Sequence, residues 1–281
     1  MEYIKLNDGH IMPVLGFGTF LMNGQECEDS VFKALQLGYR LIDTAQAYGN
    51  EEAVGNAIFK SGISRDELFI TTKVNFDSYE NVNEVIENSL KNLKVEYIDL
   101  VLLHWPFGNY YQAYKDLEKL KAKGIIKSIG VSNFDSDRFV DLCYFCETVP
   151  AINQIETHLF CQRKSEHQWM EKYHIQHQAY APLGQGKKNE MFDYADLKNI
   201  ANKYHKTPAQ IALRFLIQQE VVAIPKSIRE ERMKENIDIF DFVLNNQEMS
   251  ILSQMDRNEP MVGNAESPEL VETAMTWIGK R

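Results

Sequence analysis

The sequence is short of cysteine and has no surplus of basic residues, and both shortages exclude classes of protein. Its 281 residues include only 4 cysteines, which are Cys27, Cys143, Cys146 and Cys161. So few cysteines cannot cross-link a chain of this length, and free thiols fit a reducing compartment. Lys and Arg number 30 against 40 Asp and Glu, for a formal charge of −10. Because this charge repels phosphate groups, we expect no nucleic-acid partner.

Long apolar segments are also missing. The apolar run at 100–103 is far too short to span a bilayer, so we expect no membrane partner. The first ten residues carry Glu2, Lys5 and Asp8 without an apolar stretch after a basic start. They therefore do not predict a signal peptide, and we expect a cytoplasmic protein.

The glycine pattern of a doubly wound dinucleotide fold is absent. Such a fold carries Gly-x-Gly-x-x-Gly after its first strand and at the start of a helix. Here the first candidate strand ends in Gly-Phe-Gly-Thr-Phe at 16–20, which lacks the third glycine. A nucleotide site, if present, must be built in another way.

Cys143 and Cys146 form a Cys-x-x-Cys, the spacing of half a zinc site or of a redox pair. The flanking residues have a helical pattern, and the chain contains no second Cys-x-x-Cys. The interpretation we favour is two structural cysteines, and we expect no metal site.

Short β-rich runs alternate with amphipathic stretches along the whole chain. The eight candidate strands are 15–19, 41–44, 69–74, 98–104, 128–132, 151–155, 175–180 and 221–225. Between them, segments such as 27–38, 79–93 and 111–124 repeat apolar residues at three- and four-residue spacing. Eight strand–helix units in a chain of this length predict an α/β fold of the TIM (β/α)8-barrel type.

A hairpin is predicted ahead of the first barrel strand. Tyr3, Ile4 and Leu6 precede an Asn7-Asp8-Gly9 turn, and a second short strand follows it. Such a hairpin would close the bottom of the barrel. No linker, charge block or repeat divides the chain, so we expect a single domain over 1–281 and, without a long exposed apolar helix, a monomer.

Four polar residues follow or end three consecutive strands: Asp43, Tyr48, Lys73 and His104. Taken singly, each has a plain structural explanation as a cap, a packing residue, a surface lysine or a core histidine. Active sites of TIM barrels form at the carboxyl ends of the strands. The four residues together therefore predict a catalytic centre.

The chemistry of these residue types supports that prediction. A phenol has a pKa of about 10 and is a weak acid at neutral pH. Lys73 beside Tyr48 would lower that pKa, while Asp43 would neutralise and orient the lysine. His104 could then hydrogen-bond a substrate carbonyl and hold it for attack.

The chain resembles the aldo-keto reductase family, and in particular its prokaryotic, diketogluconate reductase-like members. The resemblance runs from Gly-Phe-Gly-Thr at 16–19 to Ile-Pro-Lys-Ser at 224–227 and includes LIDTAQAYGNEEAVGNAI, TTKV, LHWP, GVSNF, NQIE and AYAPLG. It implies an NADP-dependent oxidoreductase that reduces aldehydes and ketones. Hydride would come from NADPH and the proton from Tyr48, with Asp43, Lys73 and His104 completing the catalytic tetrad.

The cofactor positions follow from the same resemblance. Ser132, Asn133 and Gln154 carry groups suited to a carboxamide, and the resemblance implies that they hold the nicotinamide amide. Lys226, Ser227 and Arg232 offer two cations and a hydroxyl near a helix start, which suits the 2′-phosphate of NADPH (NADP+). The remaining expected contacts are Gly18, Thr19 and Asp43, Tyr180 stacked on the nicotinamide, Leu183 and Gly184 along the pyrophosphate, and Glu235 and Asn236 at the adenine.

The expected substrate is a small-molecule carbonyl compound bound by Phe20, Tyr48, His104 and Trp105. Phe20 stands where family members commonly carry tryptophan, and the tail at 256–281, which shapes substrate choice in the family, departs from the common pattern. Short loops around such a pocket indicate a broad substrate range.

Two other functions remain open at this point. A regulatory protein on the same fold could bind NADPH as a redox sensor with negligible turnover. A lyase could use Lys73 as a Schiff-base lysine and Asp43 as its base. The intact tetrad favours the reductase over the first, and the residues around Lys226 favour it over the second.

Overall fold

A computed structural model describes residues 1–185, 188–262 and 267–279. The described residues form ten strands. They are β1 (Tyr3–Lys5), β2 (Ile11–Pro13), β3 (Gly16–Gly18), β4 (Leu41–Asp43), β5 (Phe69–Val74), β6 (Ile98–Leu103), β7 (Ile126–Ser132), β8 (Ile152–Glu156), β9 (Gln176–Tyr180) and β10 (Val222–Ala223).

The same residues form twelve α-helices. They are α1 (Gly24–Gln36), α2 (Glu51–Ser61), α3 (Val82–Leu93), α4 (Tyr110–Ala122), α5 (Ser136–Phe145), α6 (Lys164–Lys172), α7 (Lys188–Phe192), α8 (Ala195–Tyr204), α9 (Pro208–Gln218), α10 (Glu230–Ile237), α11 (Asn246–Ser253) and α12 (Pro268–Trp277). None of the described helices has the length and apolar character needed to cross a membrane.

Strands β3 to β10 form one parallel sheet in sequence order, as a (β/α)8 barrel requires. A parallel bridge between Leu15 and Ala223 joins the first and last of these strands, and Ala223 N donates to Val14 O at 3.0 Å. The predicted TIM barrel is confirmed.

The last barrel strand is shorter than predicted. The pattern indicated 221–225, but only Val222 and Ala223 pair with β9. Pro225 lacks an N–H and cannot donate to a ladder, although its carbonyl still accepts from Gly18 N at 3.2 Å. The chain leaves the sheet at this point and continues towards α10.

The predicted N-terminal hairpin is confirmed and lies across the bottom of the barrel. Strands β1 and β2 pair in antiparallel register, with Ile4 opposite Met12. Leu6 and Met12 are buried in one cluster with side chains from the interior of several barrel strands. Asn7 Nδ2 also donates to Pro150 O, just before β8, at 3.0 Å.

The barrel strands bury both of their faces, as strands of a parallel sheet do. In β6, Leu100 and Leu102 belong to the inner cluster with Leu41, whereas Val101 and Leu103 pack in the larger cluster under the helices. Alternating side chains therefore fill two separate cores. Polar side chains take over the interior near the carboxyl ends of the strands.

Candidate active site

A cleft of about 820 Å³ opens at the carboxyl ends of the barrel strands. Its volume lies within the usual range for cofactor and substrate sites. The predicted site residues that line it are Gly18, Phe20, Asp43, Tyr48, His104, Trp105, Ser132, Asn133, Gln154, Tyr180, Leu183, Lys226, Ser227, Arg232, Glu235 and Asn236. Lys73, Thr19 and Gly184 are buried behind this lining.

Lys73 and Asp43 form a buried ion pair at the floor of the cleft. Lys73 is 1% exposed, and its Nζ donates to Asp43 Oδ1 at 2.6 Å and to Thr44 O at 2.9 Å. Burial lowers the pKa of Lys73, but its contacts with Asp43 and Tyr48 outweigh burial and hold the pKa above its ordinary value. Lys73 is therefore a cation at neutral pH.

Tyr48 ends a 3-10 turn, Gln46–Tyr48, that follows β4. The loop is fixed by Asn50, whose Nδ2 donates to Thr19 O and Met22 O while its Oδ1 accepts from the Thr44 hydroxyl. Lys73 Nζ lies 5.1 Å from the centre of the Tyr48 ring. The sequence thus places a phenol, a cation and a carboxylate in one cluster.

The pKa of Tyr48 is raised above its ordinary value because burial outweighs the opposing effect of Lys73. Asp43 also raises this pKa, whereas the charge of Lys73 and its hydrogen bonding to the phenol lower it. Lys73 lowers the pKa of Tyr48 as expected, but burial raises this pKa by more, so the net shift is upward. Tyr48 is consequently protonated at neutral pH and holds a proton that it can donate.

His104 lies directly after β6 and is nearly buried, with 9% of its surface exposed. Burial and the charge of Lys73 hold the pKa of His104 well below its usual range. Its ring packs edge-on against Tyr48 at a centroid distance of 5.7 Å, and its Nδ1 has no partner among the described residues. His104 is therefore a neutral imidazole facing the phenol.

The residues predicted to hold a carboxamide form a hydrogen-bonded group on β7, β8 and β9. Asn133 Nδ2 donates to His104 O at 3.0 Å, and its Oδ1 accepts from the Tyr180 hydroxyl at 2.8 Å. Ser132 donates to Gln154 O at 2.8 Å, which ties β7 to β8. Asn133 adopts a left-handed φ of 61°, a conformation that asparagine tolerates better than most residues.

The segment after β10 carries the predicted phosphate-binding residues along the edge of the cleft. Lys226 and Arg232 are exposed, and no carboxylate within the described ranges pairs with either. Ser227 is buried, and its Oγ accepts from Arg229 N at 3.1 Å, which shapes the entry to α10. Two unpaired cations thus face the same opening.

Gly18 gives the chain close contact with the segment after β10. A Cβ at this position would lie 2.9 Å from Ile224 O, so only glycine fits without displacing backbone. Thr19 is fully buried, and its hydroxyl donates to Asp43 O at 3.0 Å. Its side chain supports the end of β4 from behind the cleft.

An aromatic wall surrounds the entrance and was only partly predicted. Phe20 lies 5.0 Å from Tyr48, and Trp105 stacks on Phe107 at 5.4 Å. Phe76, after β5, and Trp277, at the end of α12, also belong to this wall but were not predicted, and their rings lie 6.3 Å apart. The position of Phe76 just after the Thr-Thr-Lys-Val strand could have indicated that it lies at the cleft, whereas nothing in the sequence around Trp277 indicates this.

Glu156, at the end of β8, was also missed, and it anchors the C-terminal tail. Its Oε1 accepts from Met261 N at 2.6 Å and from Val262 N at 3.0 Å, and His158 Nε2 lies 3.1 Å from the same oxygen. His158 is fully buried, so its role in the described structure is to support Glu156. Of the tail, the structure describes 256–262 and 267–279, and 263–266 and 280–281 lie outside the described residues.

The Cys-x-x-Cys lies away from this cleft. Cys143 is in the last turn of α5 and Cys146 follows the helix, and both are free thiols. In the part of the chain that the structure describes, no group of three or more His, Cys, Asp or Glu side chains is arranged to hold a metal ion.

A comparison with models of known families matches residues 14–257 to the "Aldo/keto reductase family". The chain belongs to the aldo/keto reductase family. The resemblance noted in the sequence is therefore confirmed, and the protein is an oxidoreductase by family.

The relatives include reductases of bacterial origin. The chain is 42% identical over 259 residues to the methylglyoxal reductase DkgA of Escherichia coli K12, covering 91% of this chain and 94% of that protein. It is 42% identical over 262 residues to the glyoxal reductase of Bacillus subtilis strain 168, covering 92% and 94%.

Solved structures agree with the fold. MGS-M4, an aldo-keto reductase from a Medee basin deep-sea metagenome library, superimposes with a TM-score of 0.91 at 40% identity, covering 94% of this chain and 98% of that one. The Bombyx mori aldo-keto reductase AKR2E4, solved in complex with NADP, gives 0.88 at 32% identity, covering 93% and 95%.

Proposed function

We propose that the protein reduces aldehydes and ketones to alcohols, with NADPH as the hydride source and Tyr48 as the proton donor. The observation that carries the proposal is the buried Lys73–Asp43 ion pair beneath a protonated phenol, at the floor of an open cleft. The desolvation of two buried charges makes such an ion pair a poor source of stability. A role of the pair in the reaction is therefore the better explanation of its place under Tyr48.

The residues of the cleft fit NADPH. Lys226 and Arg232 leave two cations for the 2′-phosphate, and the amides of Asn133 and Gln154 are suited to the nicotinamide carboxamide. Gly18 has no side chain at the point where its backbone passes close to the backbone of Ile224 at the cleft. When bound, NADPH supplies the hydride. A structural relative complexed with NADP supports this choice of cofactor.

Tyr48 supplies the proton for the carbonyl oxygen. Its pKa above the ordinary value keeps the phenol protonated before reaction, and the Lys73 ammonium stabilises the phenolate that remains after proton transfer. Asp43 holds the ammonium at 2.6 Å and prevents an uncompensated buried charge. Solvent then returns the proton to the phenolate.

His104 orients the substrate. As a neutral imidazole it can donate one hydrogen bond from Nε2 to the carbonyl oxygen, beside the Tyr48 hydroxyl. Two donors directed at one oxygen polarise the carbonyl and select its orientation. A charged imidazole at this place would instead be repelled by Lys73.

The proposed substrate range is broad and includes small α-oxoaldehydes. Phe20, Trp105 and Trp277 offer apolar surface with few polar groups beyond Tyr48 and His104, so little in the described cleft selects for a particular substituent. Relatives named methylglyoxal reductase and glyoxal reductase support the inclusion of α-oxoaldehydes. We further propose that the protein acts in the cytoplasm, which its free cysteines support.

The state of Lys73 weighs against the lyase alternative. Schiff-base formation requires a neutral amine, and the contacts of Lys73 with Asp43 and Tyr48 raise its pKa. The residue is also fully buried below Tyr48. Borohydride treatment in the presence of a carbonyl substrate should therefore leave no adduct on Lys73.

The test is the rate of NADPH oxidation by the purified protein with methylglyoxal, glyoxal, aromatic aldehydes, aldoses and ketones, with NADH in parallel. We expect turnover with several of these compounds and faster turnover with NADPH than with NADH. NADPH binding without turnover on any carbonyl would contradict the reductase proposal and favour the redox sensor. One substrate preferred by orders of magnitude over its close analogues would contradict the broad range.

A further inference from the structure

Strand β9 places a polar side chain, Gln178, inside the barrel. Gln178 is fully buried and lies two residues before Tyr180 on the same face of the strand. Its direct partner across the sheet is Gln154 on β8. Gln178 therefore lies beside Gln154 but, unlike Gln154, does not line the cleft.

Gln154 is held by two acceptors. Its Nε2 donates to Asp43 Oδ2 at 2.7 Å and to Gln178 Oε1 at 2.8 Å. A carboxamide nitrogen has two protons, so both are used in these hydrogen bonds. The amide of Gln154 can then offer only its carbonyl oxygen, Oε1, to a group bound in the cleft.

Gln178 accepts this hydrogen bond but leaves one of its own polar groups without a partner among the described residues. Its own Nε2 is buried and has no hydrogen-bond partner within the described ranges. Turning its amide over would bring Nε2 against Nε2 of Gln154, so the position of Gln154 also fixes the orientation of Gln178. Buried amide protons without a partner are rare and lower stability, so this pair is a weak source of stability.

We propose that Gln178 is a positioning residue, which fixes the Gln154 amide so that Oε1 accepts a hydrogen bond from the carboxamide –NH2 of the nicotinamide. This inference rests on the proposed function, because it assumes that NADP(H) binds in the cleft. Removal of Gln178 leaves the Gln154 amide with only one of these two acceptors, Asp43 Oδ2, so the amide can turn about the remaining hydrogen bond and the preference for a cofactor that carries an –NH2 group is reduced.

The experiment compares the binding of NADP+ with that of its 3-acetylpyridine analogue, in which a methyl group replaces the carboxamide –NH2. Dissociation constants are measured by quenching of tryptophan fluorescence in the wild type and in Gln178→Leu. We expect the wild type to prefer NADP+ by about five- to tenfold, the contribution of one hydrogen bond. Gln178→Leu is expected to reduce this preference to about twofold or less while leaving analogue affinity unchanged.

Folding is monitored by thermal unfolding of the same samples. Leu replaces Gln with a side chain of similar size and removes the unpartnered Nε2 group of Gln178, but it also removes the acceptor of one Gln154 proton. These two effects oppose each other, so the melting temperature should change little. The matched control is Thr71→Val. Thr71 is another fully buried residue whose hydroxyl has no partner in the described part of the chain, and the wild-type preference should persist in this variant.

The outcomes separate this inference from the proposed function. If Gln178→Leu binds NADP+ and the analogue with the wild-type ratio, the role of Gln178 is wrong and the reductase proposal stands. Equal weakening of both nucleotides likewise overturns the inference, because a packing defect does not discriminate between them. If the wild type binds neither nucleotide, the proposed function fails and the inference fails with it.

Discussion

Tyr48 combines a raised pKa with a neighbouring ammonium, that of Lys73. Burial favours the neutral phenol, whereas Lys73 favours the phenolate. In the proposed reaction, the first effect would keep the proton in place before reaction, and the second would stabilise the anion that proton transfer leaves behind. Burial thus favours the protonated phenol before the proposed reaction, and Lys73 favours the phenolate after it.

Replacement of Tyr48 by Phe removes only the hydroxyl. We expect carbonyl reduction to fall by about 10²- to 10⁴-fold, because a positioned acid contributes this much, while NADPH affinity changes little. Steady-state rates and fluorescence titrations measure the two quantities. Tyr3→Phe, on the exposed first strand of the hairpin, is the control and should behave as the wild type. Substantial turnover by Tyr48→Phe would show that another group donates the proton.

The proposed roles of His104 and Tyr48 predict how the reaction depends on pH. The lowered pKa of His104 keeps the imidazole neutral as pH falls through its usual value of 6.5. The raised pKa of Tyr48 keeps the phenol protonated as pH rises towards its usual value of 10.0. We expect kcat/KM for a non-ionising ketone to show no inflection between about pH 6.5 and 9. A clear inflection near 6.5 would mean that His104 titrates in the free enzyme.

At the other end of the cleft, Lys226 is the residue that we propose determines the choice between NADPH and NADH. Its ammonium is exposed and has no carboxylate partner among the described residues, so a 2′-phosphate would pair with it without competition. We expect Lys226→Ala to weaken NADPH binding about tenfold, or ~1.4 kcal/mol, and to leave NADH binding unchanged.

Lys234 provides the matched control for that prediction. It lies on α10 as well, but pairs with Glu230 at 2.7 Å and does not line the cleft. Lys234→Ala should retain the wild-type ratio of NADPH to NADH affinity. Equal losses for both cofactors in Lys226→Ala would contradict a contact with the 2′-phosphate.

At the scale of elements, Glu156 connects the end of β8 to the tail that carries α12. Its carboxylate accepts from two consecutive backbone N–H groups, at Met261 and Val262, and Val262 itself lines the cleft. Burial raises the pKa of Glu156, but hydrogen bonds from His158, Met261 and Val262 outweigh burial and leave the pKa below its ordinary value. The tail is therefore held by an ionised carboxylate.

Glu156→Gln should loosen the tail without unfolding the barrel. We expect faster amide hydrogen exchange at 261–262 and a higher KM with a smaller change in kcat, because Val262 and Trp277 contribute to the cleft wall. A lowered native pKa contributes stability above the unfolded value and loses it as pH falls through the native one. Protection of these amides in the wild type, relative to the intrinsic exchange rate at each pH, should therefore fall only below the usual value of 4.5.

Glu171→Gln is the control, because Glu171 is an exposed carboxylate on α6. It should change neither the exchange rates nor KM. Unchanged exchange at 261–262 in Glu156→Gln would show that the tail is held by its other contacts.

The elements of the barrel and the residues at strand ends were predictable because their signals are local. Each strand is a short apolar run, and Asp43, Lys73 and His104 interrupt such runs where parallel strands must converge. Gln178 and Glu156 were not predictable in this way. Their roles depend on partners 24 and 105 residues away along the chain, and no local pattern reports such pairings.

At the scale of the whole molecule, stability and function occupy opposite ends of the barrel. The hairpin buries Leu6 and Met12 against the inner cluster at the bottom, whereas the polar cluster and the cleft occupy the top. In this fold, the bottom contributes mainly to stability and the top carries the chemistry. A change in the hairpin should therefore affect unfolding and spare the reaction.

Met12→Ala tests that separation. Met12 is fully buried, so truncation leaves a cavity and should lower the free energy of unfolding by about 2–5 kcal/mol in urea titrations. Ile11→Ala, at the adjacent exposed position of β2, should cost about 0.5 kcal/mol or less. Both variants should retain wild-type kcat/KM at temperatures where they are folded. A folded Met12→Ala protein with impaired turnover would contradict this separation. It would show that a packing defect at the bottom of the barrel disturbs Lys73 and Asp43 through the strands.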